Sequence, residues 1–102
     1  MNTLDTFKNE APEVAMAFDG LIESLKNTDG LDPKTKQLIY LSLKAREADA
    51  TAVTFHTQMA KQAGAARNEI RDAILITLTV CGLTGVSSCL KQALDAYDNK
   101  IS

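Results

Sequence analysis

The chain has 102 residues, 45% of them apolar but only 5% aromatic, with 11 basic and 13 acidic side chains and a formal charge of −2. That length predicts one helical domain over residues 1–102, near the small end of what buries an adequate core alone. The balanced charge, without a Lys/Arg cluster or interleaved aromatics, argues against a nucleic-acid surface. Much of the apolar content is alanine. It lets helices approach closely but buries little area per residue, so association with copies of the chain is expected.

The N-terminal stretch MNTLDTFKNEAPE is charged and lacks an apolar h-region, so no export signal is expected and a cytoplasmic location follows. Thr3 is placed to cap a first turn, Leu4 to Lys8. Pro12 suits the first position of the next helix, with Glu13 favourable in its first turn. Val14, Phe18, Leu21, Ile22 and Leu25 then recur at helical spacing. They predict an amphipathic helix from Pro12 to about Asn27, closed by Asp29-Gly30.

Asp32-Pro33 opens the third helix, with Asp as N-cap and Pro at N1. Leu38, Leu41, Ser42 and Ala45 mark its core face, and Ile39, Tyr40 and Leu43 widen it. Such a helix needs more than one neighbour. Lys34, Lys36, Lys44 and Arg46 point outward. The helix ends near Glu47-Ala48, and Asp49 caps the fourth helix after almost no linker, which predicts a tight αα-hairpin. Gly64 stops that helix. Ala52, Phe55, His56, Met59, Ala60 and Ala63 share its core side, opposite Thr57, Gln58, Lys61 and Gln62. His56, the only histidine, is thereby carried inward.

After the Gly64-Ala65-Ala66 turn, Arg67 to Cys81 is rich in β-branched residues and could be a buried strand. A helical period from Glu69 onward, and no second strand to pair with, favour a helix, apolar all round and central. Ala73 to Leu90 is uncharged for eighteen residues, but Gly82, Thr84 and Gly85 break it, so no membrane span is expected. The last helix, Val86 to about Asn99, buries Val86, Cys89, Leu90, Ala93 and Tyr97, and Lys100 to Ser102 fray.

Among groups with chemistry, His56 is either a neutral core histidine bonded to a backbone carbonyl or a site imidazole. Asp49 lies about 10 Å along the axis from it and is read as an N-cap. Gln37 is read as a hydrogen-bond partner of His56 across the hairpin, as a ligand-oxygen binder, or equally as a plain surface glutamine, while Arg46 and Glu47 sit at the helix junction, where charges face water. Cys81 and Cys89 are two reduced thiols by default, about 12 Å apart on an unbroken helix. The glycines between them could shorten that distance, so a redox role stays open. One histidine and no cysteine pair at ligand spacing leave no metal set, and no glycine spacing suits a phosphate; no cofactor is expected.

Leu31–Gly85 resembles the carboxymuconolactone decarboxylase and alkylhydroperoxidase D-like family. The resemblance rests on LDPKTKQLIYLSL (Leu31–Leu43), on His56 and its distance from Leu31, on the run ending at Gly64-Ala65, on RNEIRDAI (Arg67–Ile74), and on the turn near Gly82–Gly85. It implies a compact all-α bundle of about five to six helices, assembled as a homotrimer or homohexamer, with a pocket around His56 often placed between subunits. The peroxidase branch of that family carries CxxCxxxH and a relay glutamate in the preceding helix. The matching positions here are Asp49, Ala52 and His56, with Gln37 at the glutamate. Asp49 and Ala52 can neither attack nor resolve as thiols.

Three readings follow. The favoured one is a decarboxylase-like protein with a degenerate motif, binding or acting on a small carboxylated or lactone compound through His56. The second is a non-catalytic oligomeric binding module. The third is a peroxiredoxin-type, thiol-dependent peroxidase activity moved to Cys81 and Cys89.

Overall fold

The computed structural model describes residues 3–100, and all regular structure within them is helical. The elements are α1 (Thr3–Glu10), α2 (Pro12–Lys26), α3 (Pro33–Arg46), α4 (Ala50–Gln62), α5 (Arg67–Leu75), α6 (Leu78–Cys81), a π-helical segment (Val86–Leu90) and α7 (Lys91–Tyr97). The chain is all-α, as its periodicity predicts. It forms two compact units, residues 1–30 and 31–102. Helix α1 runs past the expected Leu4–Lys8 at both ends, and the capping role expected of the Thr3 side chain and the expected fraying of Ile101-Ser102 fall outside what is described.

In the first unit, Pro12 occupies the first turn of α2, where its missing N–H is no loss. Phe7 of α1 meets Phe18 of α2 edge to face, ring centres 6.2 Å apart. Ala15 is the only fully buried residue of α2. The stripe expected to seek a core is therefore largely bare: Val14 is 60%, Phe18 45% and Leu21 53% exposed.

The second unit is built on local caps. The Asp32 carboxylate accepts the Thr35 N–H at 2.7 Å, and Asp49 accepts that of Ala52 at 3.0 Å. Between those caps, α3 ends in a turn with Ala48 at φ 59°, where the Asp49 N–H reaches back to the Lys44 carbonyl at 3.0 Å. Gly64, at φ 100°, closes α4, as its position predicts. The core joins Leu41 and Ala45 of α3, Val53 and Ala60 of α4, Ile70 and Ile74 of α5, Cys89, and Ala93 of α7. Each of the larger aliphatic side chains contributes about 1.5–3 kcal/mol by leaving water. The end of α7 is tied down by Gln58 Nε2 donating to the Ala96 carbonyl at 2.6 Å and by the Tyr97 hydroxyl donating to the Ala65 carbonyl at 2.8 Å.

Three expectations are corrected. First, α4 is turned about its axis: Val53, Thr57 and Ala60 are buried, while Phe55 is 58% exposed and His56 half-buried. The cause is that α4 packs against both α3 and α7, and the residues between those contacts are the ones enclosed. Thr57 tolerates burial because its hydroxyl donates to the Val53 carbonyl at 2.8 Å. Second, Ile39, Tyr40 and Leu43 do not widen the core; they lie exposed on α3.

Third, Arg67–Cys81 is helical but neither continuous nor central. It breaks at Ile76-Thr77, where the Thr77 N–H and hydroxyl both donate to the Ile74 carbonyl, at 3.1 and 2.6 Å, and Val80 beyond is exposed. The glycine break is where the sequence puts it, with Gly82 at φ 65°. Among the described residues, no helix is long and apolar enough to cross a membrane.

Candidate functional site

The hairpin of α3 and α4 sets His56 against Gln37 and Tyr40. Those two residues are three apart on α3, so they share one side of it, one above the other. The imidazole Nδ1 lies 2.9 Å from Gln37 Oε1. With an amide oxygen there, Nδ1 carries the hydrogen and donates, and Nε2 holds the lone pair. Tyr40 stacks on the imidazole at 5.3 Å with the planes 25° apart, and Phe55 meets it edge-on at 5.1 Å. Among the described residues, no protein group bonds Nε2 and no buried side-chain polar atom lacks a partner, so Nε2 is reached by solvent.

Burial holds the His56 pKa below its ordinary value; the charge of Lys44 pushes the same way, and that of Asp49 opposes. At neutral pH the ring is thus a neutral base with one nitrogen fixed and one open. The imidazolium it forms is a readier proton donor than an ordinary one.

The other sequence-flagged residues divide. Asp49 is committed to capping α4. Glu47 pairs with Lys44 at 3.2 Å on the surface of the hairpin junction, and Arg46 is exposed there. Ala52 offers no functional group. Cys81 is half-buried, its Sγ 3.5 Å from the Thr77 carbonyl oxygen, and Cys89 is fully buried in the π-helical segment. Both are free thiols. Burial and the nearby Asp49 charge push the Cys89 thiol pKa up, which disfavours its thiolate. Among the described residues, no group of three or more His, Cys, Asp or Glu side chains is placed to hold a metal ion.

Sequence reasoning missed three participants. Tyr40 and Phe55 flank the imidazole, and Lys44 acts on its charge. The available signal was the spacing of Gln37, Tyr40 and Lys44 at i, i+3 and i+7, which puts all three on the side of α3 that faces His56.

The sequence pattern of the carboxymuconolactone decarboxylase family matches residues 12–95. The chain belongs to that family. A crystal structure of a provisionally named carboxymuconolactone decarboxylase from Burkholderia xenovorans LB400 shares its fold, with a TM-score of 0.85 at 23% identity over 97% of this chain and 77% of that one. A comparison with curated proteins finds no match.

Proposed function

We propose that this carboxymuconolactone decarboxylase-family protein binds or acts on a small carboxylated or lactone compound at a site around His56, and that its motif is degenerate. The observation that carries the reading is the state of the imidazole: Nδ1 is held by Gln37, Nε2 has no protein partner among the described residues, and Tyr40 and Phe55 flank the ring. Nε2 can take a proton from a bound substrate. Once protonated, it can return that proton to the carbanion-like centre left by loss of CO₂. Exposed Arg46, and Lys44 whose charge is felt at His56 although it pairs with Glu47, are candidates on α3 to attract a carboxylate. No cofactor is required. The family frame supports a homotrimeric or homohexameric assembly.

The test is a thermal-shift and NMR titration of the protein against a panel of γ-lactone carboxylates and their open-chain acids, with CO₂ release followed for any that bind. Binding that perturbs the His56 ring, and fails in His56→Gln, is the expected result. Binding that ignores His56→Gln would overturn the reading.

A second reading, a binding module without turnover, is favoured by Gln37. An amide orients an imidazole but cannot relay its proton as a glutamate can. Ligand binding without CO₂ release would select it. Thiol-dependent peroxidase activity through Cys81 and Cys89 ranks third, because the Cys89 thiol is enclosed and its pKa is raised. Hydroperoxide consumption lost in a Cys81→Ser/Cys89→Ser double variant would promote it.

A further inference from the structure

The α3–α4 hairpin carries the cations Lys34, Lys36, Lys44, Arg46 and Lys61, and their placement about His56 differs. Lys44 continues the row of Gln37 and Tyr40, the two α3 residues that hold the imidazole. Arg46 comes nine residues after Gln37, about two and a half turns on, and so stands on the opposite side of α3. Lys36, one residue before Gln37, lies about 100° round the helix. Lys34 is held 3.0 Å from Glu69 of α5, and Lys61 donates to the Tyr97 carbonyl at 2.5 Å.

Lys44 has a partner, but a replaceable one. Its ammonium lies 3.2 Å from Glu47 Oε1, and the two side chains are 38% and 53% exposed. Water screens such a pair and the side chains are held only weakly by it, so a second carboxylate can compete. Tyr40 precedes Lys44 by four residues, about 6 Å along the axis, a span that a small ring with its own carboxylate bridges.

We propose that Lys44 is the specificity-determining cation of the His56 site: the carboxylate of a small ligand displaces Glu47 from its ammonium, and the body of the ligand lies beside Tyr40 with its reactive atom at Nε2. The inference rests on the site reading above and adds which cation selects the ligand and what the ligand must displace. Glu47 returns to water, in which it is already half immersed, so the exchange costs little. An ester or amide of the same ligand cannot make the exchange, and the site therefore selects free acids.

The exchange also acts on the ring. The arriving carboxylate brings a negative charge to the side of α3 that faces His56, so the imidazole takes up a proton more readily with the ligand in place. The charges it already feels, Lys44 on α3 and Asp49 at the head of α4, remain where they were. The proton donor needed after loss of CO₂ is thus prepared by the ligand's own arrival.

The test titrates the full-length chain with γ-carboxy-γ-butyrolactone and with its primary amide, following the His56 ring carbons by NMR across pH. The acid should bind about tenfold more tightly than the amide and raise the His56 titration, which the amide should not. Lys44→Gln should abolish that preference and, with no ligand present, should itself raise the His56 titration, because a cation is lost. Lys44→Arg should keep the preference. Glu47→Gln should tighten the acid about two- to fivefold and leave the amide unchanged.

A ring perturbed equally by acid and amide overturns the proposal and leaves the site reading standing. A preference lost in Arg46→Gln but kept in Lys44→Gln does the same, as does a Lys44→Gln protein whose free ring titrates like the parent. Glu47→Gln that fails to tighten the acid removes the exchange. A ring that neither probe perturbs sinks the site reading, and this proposal falls with it.

Discussion

Gln37 Oε1 and His56 Nδ1 lie 2.9 Å apart across the α3–α4 hairpin, and this single bond decides which imidazole nitrogen is available for chemistry. A neutral amide fixes the tautomer without adding charge, so the ring keeps the low basicity that burial and Lys44 impose.

Replacing that amide with a carboxylate reverses the balance. Gln37→Glu puts a negative charge at the protonated nitrogen and should raise the His56 pKa by about one unit or more. An NMR pH titration of the imidazole carbons measures it directly. An unchanged titration would mean that the two side chains do not face each other in solution.

The lowered His56 pKa also has a stability signature. The unfolded chain, with His near its ordinary value of 6.5, binds a proton more readily than the folded one. Stability should therefore be level above about pH 6.5 and fall as pH drops from there toward the folded-state pKa. The carboxylates of Asp32, Glu69 and Asp98, each lowered chiefly by a hydrogen bond, to Thr35, Ala66 and Arg67 respectively, lose their contribution only around and below about pH 4. Urea midpoints at about pH 7.5 and about pH 5 separate the two windows. His56→Gln should flatten the first, and at the higher pH should cost less than about 2 kcal/mol, since Nε2 has no buried partner to orphan.

Ala48 is held at φ 59°, the left-handed region where a Cβ is unfavourable by about 1–2 kcal/mol. Ala48→Gly should raise stability by about 1 kcal/mol net of the extra entropy of an unfolded glycine. The shift in urea midpoint at constant slope is the readout.

Gly85 should respond in the opposite direction. Its backbone is helical, so alanine would gain about 1 kcal/mol from propensity alone. But a Cβ there would sit 2.8 Å from Thr77 Oγ1 and 3.0 Å from the Ala45 carbonyl oxygen. The hydroxyl is already bonded to Ile74 and the carbonyl is backbone, so neither yields easily. Overpacking should win, and Gly85→Ala should lower stability by about 1–3 kcal/mol in the same urea assay.

The chain ends of the helices were legible because they obey rules a few residues long. Asp32, Asp49 and Gly64 cap and stop their helices as their neighbours dictate. The reach of Gln37 to His56 was half legible: the short linker lets the two meet, but a surface glutamine fitted the sequence equally well until the 2.9 Å contact decided it. The facing of α4 was not. Its buried line depends on where α7 lands, which no local pattern records, and Thr57 reads as polar until its hydroxyl is seen turned onto its own helix. Thr77 breaks α5 from α6 by the same kind of local bond. The bareness of Val14, Phe18 and Leu21 was illegible for a third reason: amphipathic spacing identifies a face that wants covering without naming what covers it.

The π-helical turn at Val86–Leu90 sets the angular phase of everything after it. Such a turn accommodates one residue more than an α-turn, and each residue rotates a helix by about 100°. Deleting a single residue there would let the segment relax to a regular α-helix that covers the same angle with one residue fewer, so Ala93 should stay in the core and the Tyr97 hydroxyl on the Ala65 carbonyl. Inserting a residue finds no such slack and would swing both about a quarter turn around the axis. The surplus residue is a length the fold can give back, and this stretch should tolerate the loss of one residue far better than the gain of one.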